Sequence, residues 1–125
     1  MLDAVADGYR RTETYTGRAA PSPAVQDALR TVPRESFVRP EDVAHAYENR
    51  PLSIGHGQTI SQPYVVALMV DLVEPTPDAV ALEIGTGCGY AAAVLSRCVS
   101  HVYTVETIAA LADGATARLA RLGFE

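Results

Sequence analysis

Lysine and tryptophan are absent from the 125 residues, and cysteine, methionine and phenylalanine occur only twice each. All ten basic residues are therefore arginine, scattered along the chain, against 15 acidic ones for a net charge of −5. That balance offers no electrostatic footprint for nucleic acid or an anionic membrane. The missing lysine also excludes a phosphate loop of the G-x-x-x-x-G-K-[ST] kind. No apolar stretch reaches the roughly 20 residues that span a bilayer. The start, with Asp3 and Asp7, lacks the basic-then-apolar layout of a signal peptide. A cytoplasmic protein is the expectation. Cys88 and Cys98 stand ten apart, which fits neither a CxxC redox pair nor a zinc-ligand pattern. Both are read as reduced and structural, and no metal site is expected.

What is present is an apolar share of 48%, enough for one modest core and one domain, or part of one. The first twenty residues show no sustained period and read as a short helix or a mobile arm. Ser22-Pro23 is an N-cap followed by proline in the first helical turn, and Val25, Ala28, Leu29 and Val32 recur at helical spacing until Pro33. A second short helix is expected over Glu41 to Tyr47, then an irregular loop, 49–62, that feeds an apolar helix beginning at Pro63. After the break Pro75-Thr76-Pro77-Asp78, Ala79 to Ile84 reads as a buried strand, Gly89 to Arg97 as helix, His101 to Val105 as strand and Ile108 to Leu122 as helix. A right-handed crossover makes the two strands parallel. Because a parallel sheet is normally built from several strands and buried on both faces, the chain is expected to be the N-terminal part of a longer protein.

The chemistry-bearing element is Gly85-Thr86-Gly87-Cys88-Gly89-Tyr90, which leaves a strand and opens a helix. There the backbone must turn sharply, and a ligand can approach without meeting a Cβ. Glu106 follows Gly85 by 21 residues, at the end of the next strand, where a carboxylate can accept from both hydroxyls of a ribose. The usual dinucleotide fingerprint needs glycine or alanine where Tyr90 stands, so a nicotinamide or flavin dinucleotide fits poorly. Three glycines serving only a tight turn is the bland alternative, and Glu106 weakens it.

The segments Val32 to Val38, Ala46-Tyr47, Pro51 to Tyr64, Leu82 to Tyr90 and Val102 to Glu106 together resemble the protein-L-isoaspartate O-methyltransferase family, from about Ser22 onward. The glycine turn is shared by class I methyltransferases at large, whereas Gly57-Gln58-Thr59-Ile60-Ser61-Gln62-Pro63 is particular to this family. The resemblance implies an α/β, Rossmann-like class I methyltransferase fold represented by its N-terminal part: a helical region over 1–74 carrying an active-site loop at 49–62, and the first β-α-β-α of the S-adenosyl-L-methionine-binding domain over 75–125. It implies methyl transfer from S-adenosyl-L-methionine to the free α-carboxylate of L-isoaspartyl residues in damaged proteins and peptides, with Ser61 as the active-site residue. The cofactor contacts it implies are Ile54, Gly55, His56, Gly57, Ser61 and Tyr64, then Glu83, Ile84, Gly85, Thr86, Gly87 and Cys88, and finally Glu106. Cys88 stands where the family often has serine. A domain that esterifies one dedicated peptide, and a non-catalytic nucleoside-binding fragment, remain alternatives.

The acceptor carboxylate, with an ordinary pKa of about 4, is already ionised at neutral pH, so neither a general base nor a metal is required. Ser61 then suits aiming a carboxylate by a hydrogen bond, or simply capping the helix at Pro63, and the two roles can coexist. Tyr64 serves either the cofactor or the core. His56 reads as a packing or backbone-contact position, His45 and His101 read as structural, and Arg34 with Glu35 reads as a local surface pair.

Overall fold

A computed structural model describes residues 1–124 of the chain. Helices α1 (Leu2–Thr16) and α2 (Pro23–Thr31) are followed by two 3-10 turns, Arg34–Phe37 and Pro40–His45. Strands β1 (Leu52–Gly55) and β2 (Gln58–Ile60) precede α3 (Pro63–Leu72), and the order ends β3 (Val80–Ile84), α4 (Tyr90–Leu95), β4 (His101–Val105), α5 (Ala109–Arg121). Three stretches depart from the sequence reading, the third being the hairpin β1–β2. The first residues are one 15-residue helix, and the expected helix over Glu41 to Tyr47 is a 3-10 turn.

Helix α1 forms because three residues, Val5, Gly8 and Tyr9, are buried along one side of it, too few to register as a period. Its anchor is tertiary. The Tyr9 hydroxyl donates to the buried carboxylate of Asp71 in α3 at 2.6 Å, and the same oxygen accepts from the Ser22 N–H at 3.1 Å. One carboxylate thus joins α1, α3 and the entry to α2. Burial, and then the bond to Asp71, push the Tyr9 hydroxyl well above its ordinary pKa, so it stays a donor. Ser22 caps α2 by accepting from the Val25 N–H, as the Ser-Pro pattern predicts.

The stretch expected to be an irregular loop contains an antiparallel hairpin. Leu52 faces Ile60, Ser53 faces Thr59 and Gly55 faces Gln58, so the two apolar residues of the first pair enter the core together and both are buried. The connection is His56-Gly57, with φ of 54° and 71°. Positive φ at both central residues is the type I′ condition that matches strand twist. Histidine tolerates that region better than most side chains, which is why no Asn-Gly or Asp-Gly signal announces the turn.

Strands β3 and β4 pair in parallel from Val80↔His101 to Ile84↔Val105. One face, with Glu83 and Thr104, turns toward α4 and the hairpin. The other is not the buried surface expected of β3: Leu82 is 63% and Ile84 76% exposed, beside exposed Tyr103 and Val105. The core lies wholly on the first side, among α1, α2, the hairpin, α3 and α4.

Helix propensity favours alanine over glycine by about 1 kcal/mol, but a Cβ on Gly8 would stand 2.4 Å from the Tyr64 ring. Gly8→Ala is therefore expected to destabilise the protein by about 1–3 kcal/mol in urea unfolding. A gain in stability would show that α1 is not seated on α3 in this way.

Candidate functional site

The turn after β3 is held from three directions. The Val105 carbonyl accepts from the N–H groups of Gly85 (2.8 Å) and Thr86 (3.1 Å), and the Thr86 carbonyl accepts from Gly89 (2.8 Å). The third hold is Glu106. One of its oxygens accepts from Gly87 N–H at 2.8 Å, and the other accepts from Thr107 (2.8 Å) and Ile108 (3.0 Å). These backbone bonds hold the Glu106 carboxyl below the usual carboxylate range. Glu83 is pushed the other way by burial and by its neighbour Glu106, partly offset by the Thr104 hydroxyl, which donates to it at 2.5 Å. Thr104 also meets the Thr86 hydroxyl at 2.6 Å.

At Gly87 two separate reasons favour glycine. Its φ is 54°, a region costly to most side chains, and an added Cβ would lie 3.3 Å from Ile54 Cδ1 of the hairpin. The hairpin therefore packs directly on the turn. Ser61, Thr59 and Ile60 share one cleft of about 60 Å³ with Glu83, Gly85, Thr86, Gly87 and Cys88. On the other side of Gly87, a cleft of about 260 Å³ runs between Ile54, His56, Phe37 and α5.

Most of the residues singled out from the sequence meet here, with three differences. The Tyr64 side chain is committed elsewhere: its ring packs on Gly8 and edge-on to Tyr9, and its hydroxyl pairs with Thr12 at 2.6 Å. Ser61 does not cap α3, whose N-cap is Gln62 with no side-chain cap bond, and the exposed Ser61 is left to face the cleft. Arg34 is not a surface partner of Glu35. It is fully buried, while Glu35 accepts from the Tyr47 hydroxyl. No local pattern could have revealed Arg34, because its burial depends on Ala46, Ser61 and Tyr90, 12 to 56 residues away. Ile84 is exposed at the end of β3, and His56 is exposed at the hairpin tip. His45 pairs with Glu48, and His101 stacks edge-on with Tyr103. Cys88 and Cys98 are both free and buried, and burial pushes both thiols up. Among the described residues no cluster of His, Cys, Asp or Glu is placed to hold a metal.

A parallel strand pair, a glycine turn gripped by the carboxylate ending the second strand, and a serine-bearing hairpin laid on that turn define a Rossmann-like class I methyltransferase fold. A family model described as protein-L-isoaspartate(D-aspartate) O-methyltransferase matches residues 12–125, and the chain belongs to that family. Among curated relatives, protein-L-isoaspartate O-methyltransferase 2 of Nitrosococcus oceani is 55% identical over 90% of this chain and 52% of its own length. The protein of the same description from Syntrophobacter fumaroxidans is 48% identical over all of this chain and 51% of its own length. The chain thus spans about half the length of the curated relatives it matches. A solved protein-L-isoaspartate O-methyltransferase superposes on the whole chain, and on 40% of its own, with TM-score 0.80 at 30% identity. A putative Plasmodium falciparum protein-L-isoaspartate O-methyltransferase in complex with S-adenosyl-L-homocysteine shares the fold, with TM-score 0.67 at 19% identity over 96% of this chain and 55% of that one.

An amide in place of the Glu106 carboxylate has only one accepting end and cannot serve Gly87 and the Thr107–Ile108 pair together. Glu106→Gln is expected to speed exchange of the Gly87 amide about tenfold or more, and unchanged protection would contradict the grip. The sign with pH follows from a lowered native pKa. Support of the turn is complete above the ordinary glutamate value of about 4.3 and is lost as pH falls through the lower native value. Gly87 protection, corrected for intrinsic exchange, should therefore hold from neutrality to about pH 4.5 and decline below it.

Proposed function

We propose that the site works in methyl transfer from S-adenosyl-L-methionine to the free α-carboxylate of L-isoaspartyl residues in damaged proteins and peptides. The observation that carries this reading is the single cleft into which both Ser61 and the glycine turn open. Family membership supports the same reaction, and a cytoplasmic setting suits two buried free thiols.

The residues present fit the donor. Nothing lies within 4 Å of where a Cβ on Gly85 would stand, so ligand atoms can come against bare backbone at Gly85, between Glu83 and Cys88. One Glu106 oxygen accepts from Thr107 N–H, Ile108 N–H and, at 3.5 Å, the Thr107 hydroxyl, while the other accepts from Gly87 N–H alone, which leaves a lone pair of that second oxygen for a ribose hydroxyl. The hairpin residues Ile54, Gly55, His56 and Gly57, with Ser61, would cover the donor from the other side. Tyr64 would contribute through its place at the start of α3, since its side chain is taken up by α1. When bound, the donor supplies a methyl group on a sulfonium whose positive charge is lost on transfer.

The chain itself has then to orient and to exclude water. Ser61 donates its hydroxyl proton to the acceptor carboxylate as a hydrogen bond and keeps it, since the acceptor needs no deprotonation. Ile54 against Gly87 closes the wall behind the turn. Holding two reactants in line can supply about 7–11 kcal/mol of a barrier, which is consistent with a site that shows no nucleophile–base pair.

Calorimetry with S-adenosyl-L-homocysteine should show one site. A radiolabelled methyl assay should show transfer to an isoaspartyl peptide and none to its normal aspartyl counterpart. Ser61→Ala is expected to lower kcat by about 10–100-fold, the worth of a hydrogen bond to a charged group, with donor affinity little changed. Binding without transfer would leave a nucleoside-binding module, transfer to only one unrelated peptide would favour a dedicated substrate, and an unchanged kcat/KM in Ser61→Ala would remove the serine from the reaction.

A further inference from the structure

Arg34 is the largest fully buried side chain of the protein, and among the described residues no carboxylate lies within ion-pair distance of it. Its Nε donates to the Ala46 carbonyl at 2.8 Å and its Nη2 to the Ser61 carbonyl at 2.8 Å. The guanidinium lies over the Tyr90 ring, 4.7 Å from the centroid. Nη1 and the Tyr90 hydroxyl are both buried without a well-formed hydrogen bond, though the two side chains stand close enough for each to favour the charged form of the other. Burial lowers the pKa of the guanidinium, yet arginine remains protonated.

As a stabilising device this is a poor arrangement. A buried cation without a carboxylate counter-charge, one of whose nitrogens has no well-formed hydrogen bond, costs more than an apolar side chain of similar volume. What an apolar residue could not provide is the fork. Two rigidly related N–H directions reach the end of the second 3-10 turn and the exit of the hairpin at once, while the flat face rests on the first residue of α4. Those three points are the frame around the shared cleft. Ser61 itself is exposed; upstream, Ile60 is held in the ladder opposite Leu52, and downstream Tyr64 N–H donates to Asn49 and Val66 N–H to the Gln62 carbonyl, so the Arg34 fork is the hold on the Ser61 carbonyl between them.

We propose that Arg34 is a positioning residue for methyl transfer: its fork fixes the Ser61 main chain, and through it the Ser61 hydroxyl, against the glycine turn. This rests on the reaction proposed above, and Arg34 touches neither reactant. Lysine keeps the charge but has no fixed fork, so Arg34→Lys separates positioning from simple charge.

The test is a double-mutant cycle with Ser61→Ala, read as kcat on an isoaspartyl peptide and Kd for S-adenosyl-L-homocysteine. Arg34→Lys alone is expected to lower kcat about tenfold while leaving Kd within about threefold; in the Ser61→Ala background it should lower kcat by no more than about twofold. Equal losses in both backgrounds, or no loss in the first, overturn the proposal. Two measurements need no turnover. In Arg34→Lys, amide exchange over Gln58 to Tyr64 should rise about tenfold or more while α1 keeps its protection, and a uniform rise or none counts against the fork. In the unaltered protein the Arg34 Nε–H should give a slowly exchanging resonance with contacts to Ala46, and its absence overturns the proposal even if the variant fails to fold. If the unaltered protein transfers no methyl group to isoaspartyl peptides, the reaction is wrong, and the exchange measurements still decide the role of Arg34.

Discussion

The two oxygens of Glu106 close the end of the parallel strand pair. By accepting from Gly87 on one side and from Thr107 and Ile108 on the other, the carboxylate ties the turn after β3 to the chain leaving β4. The N–H groups concerned would otherwise stand unpaired at a strand end. Once that turn is fixed, Gly87 presents a surface without a Cβ, and Ile54 can settle on it. The position of the hairpin, and so of Ser61, follows from that contact on one side and from Arg34 on the other.

A second carboxylate has the corresponding role in the helical layer. Asp71 receives Tyr9 and Ser22 and fixes three helices relative to one another, and α3 carries that order to the hairpin through Asn49 and Tyr64. All of this packing lies on one face of the sheet. The opposite face, with Leu82, Ile84, Tyr103 and Val105 open, has the composition of a surface that a further layer covers, as parallel sheets normally require. The cleft shared by Ser61 and the glycine turn is built on the packed side and at the strand ends, so its walls do not depend on that open face.

The parts legible in the sequence are those with short-range causes. Glycine at 85, 87 and 89 after an apolar run, a carboxylate at the next strand end, and Ser-Pro before a helical period each carry their reason within a few residues. The parts that were not legible have causes distant in sequence. Helix α1 depends on Asp71 for Tyr9 and on Tyr64 for Gly8, and its own residues read as polar. The hairpin turns on a histidine with positive φ, outside the usual glycine and asparagine signals. Arg34 sits beside Glu35 in the chain, and only the fold reveals that one is buried and the other bonded to Tyr47. Tyr64, for which cofactor and core are both open in the sequence, has its ring on Gly8 and its hydroxyl against Thr12, a placement set by α1 rather than by its neighbours in the chain.

If the hairpin exit and the glycine turn form one site, a single ligand must report on both. The most direct measurement is an amide-resolved NMR titration of the protein with S-adenosyl-L-homocysteine. The amides of Gly85, Gly87 and Cys88 and that of Ser61 should shift along one saturation curve with a common Kd. Shifts confined to the glycine turn, with Ser61 unmoved at saturation, would contradict the account and separate the serine from the pocket it is held against.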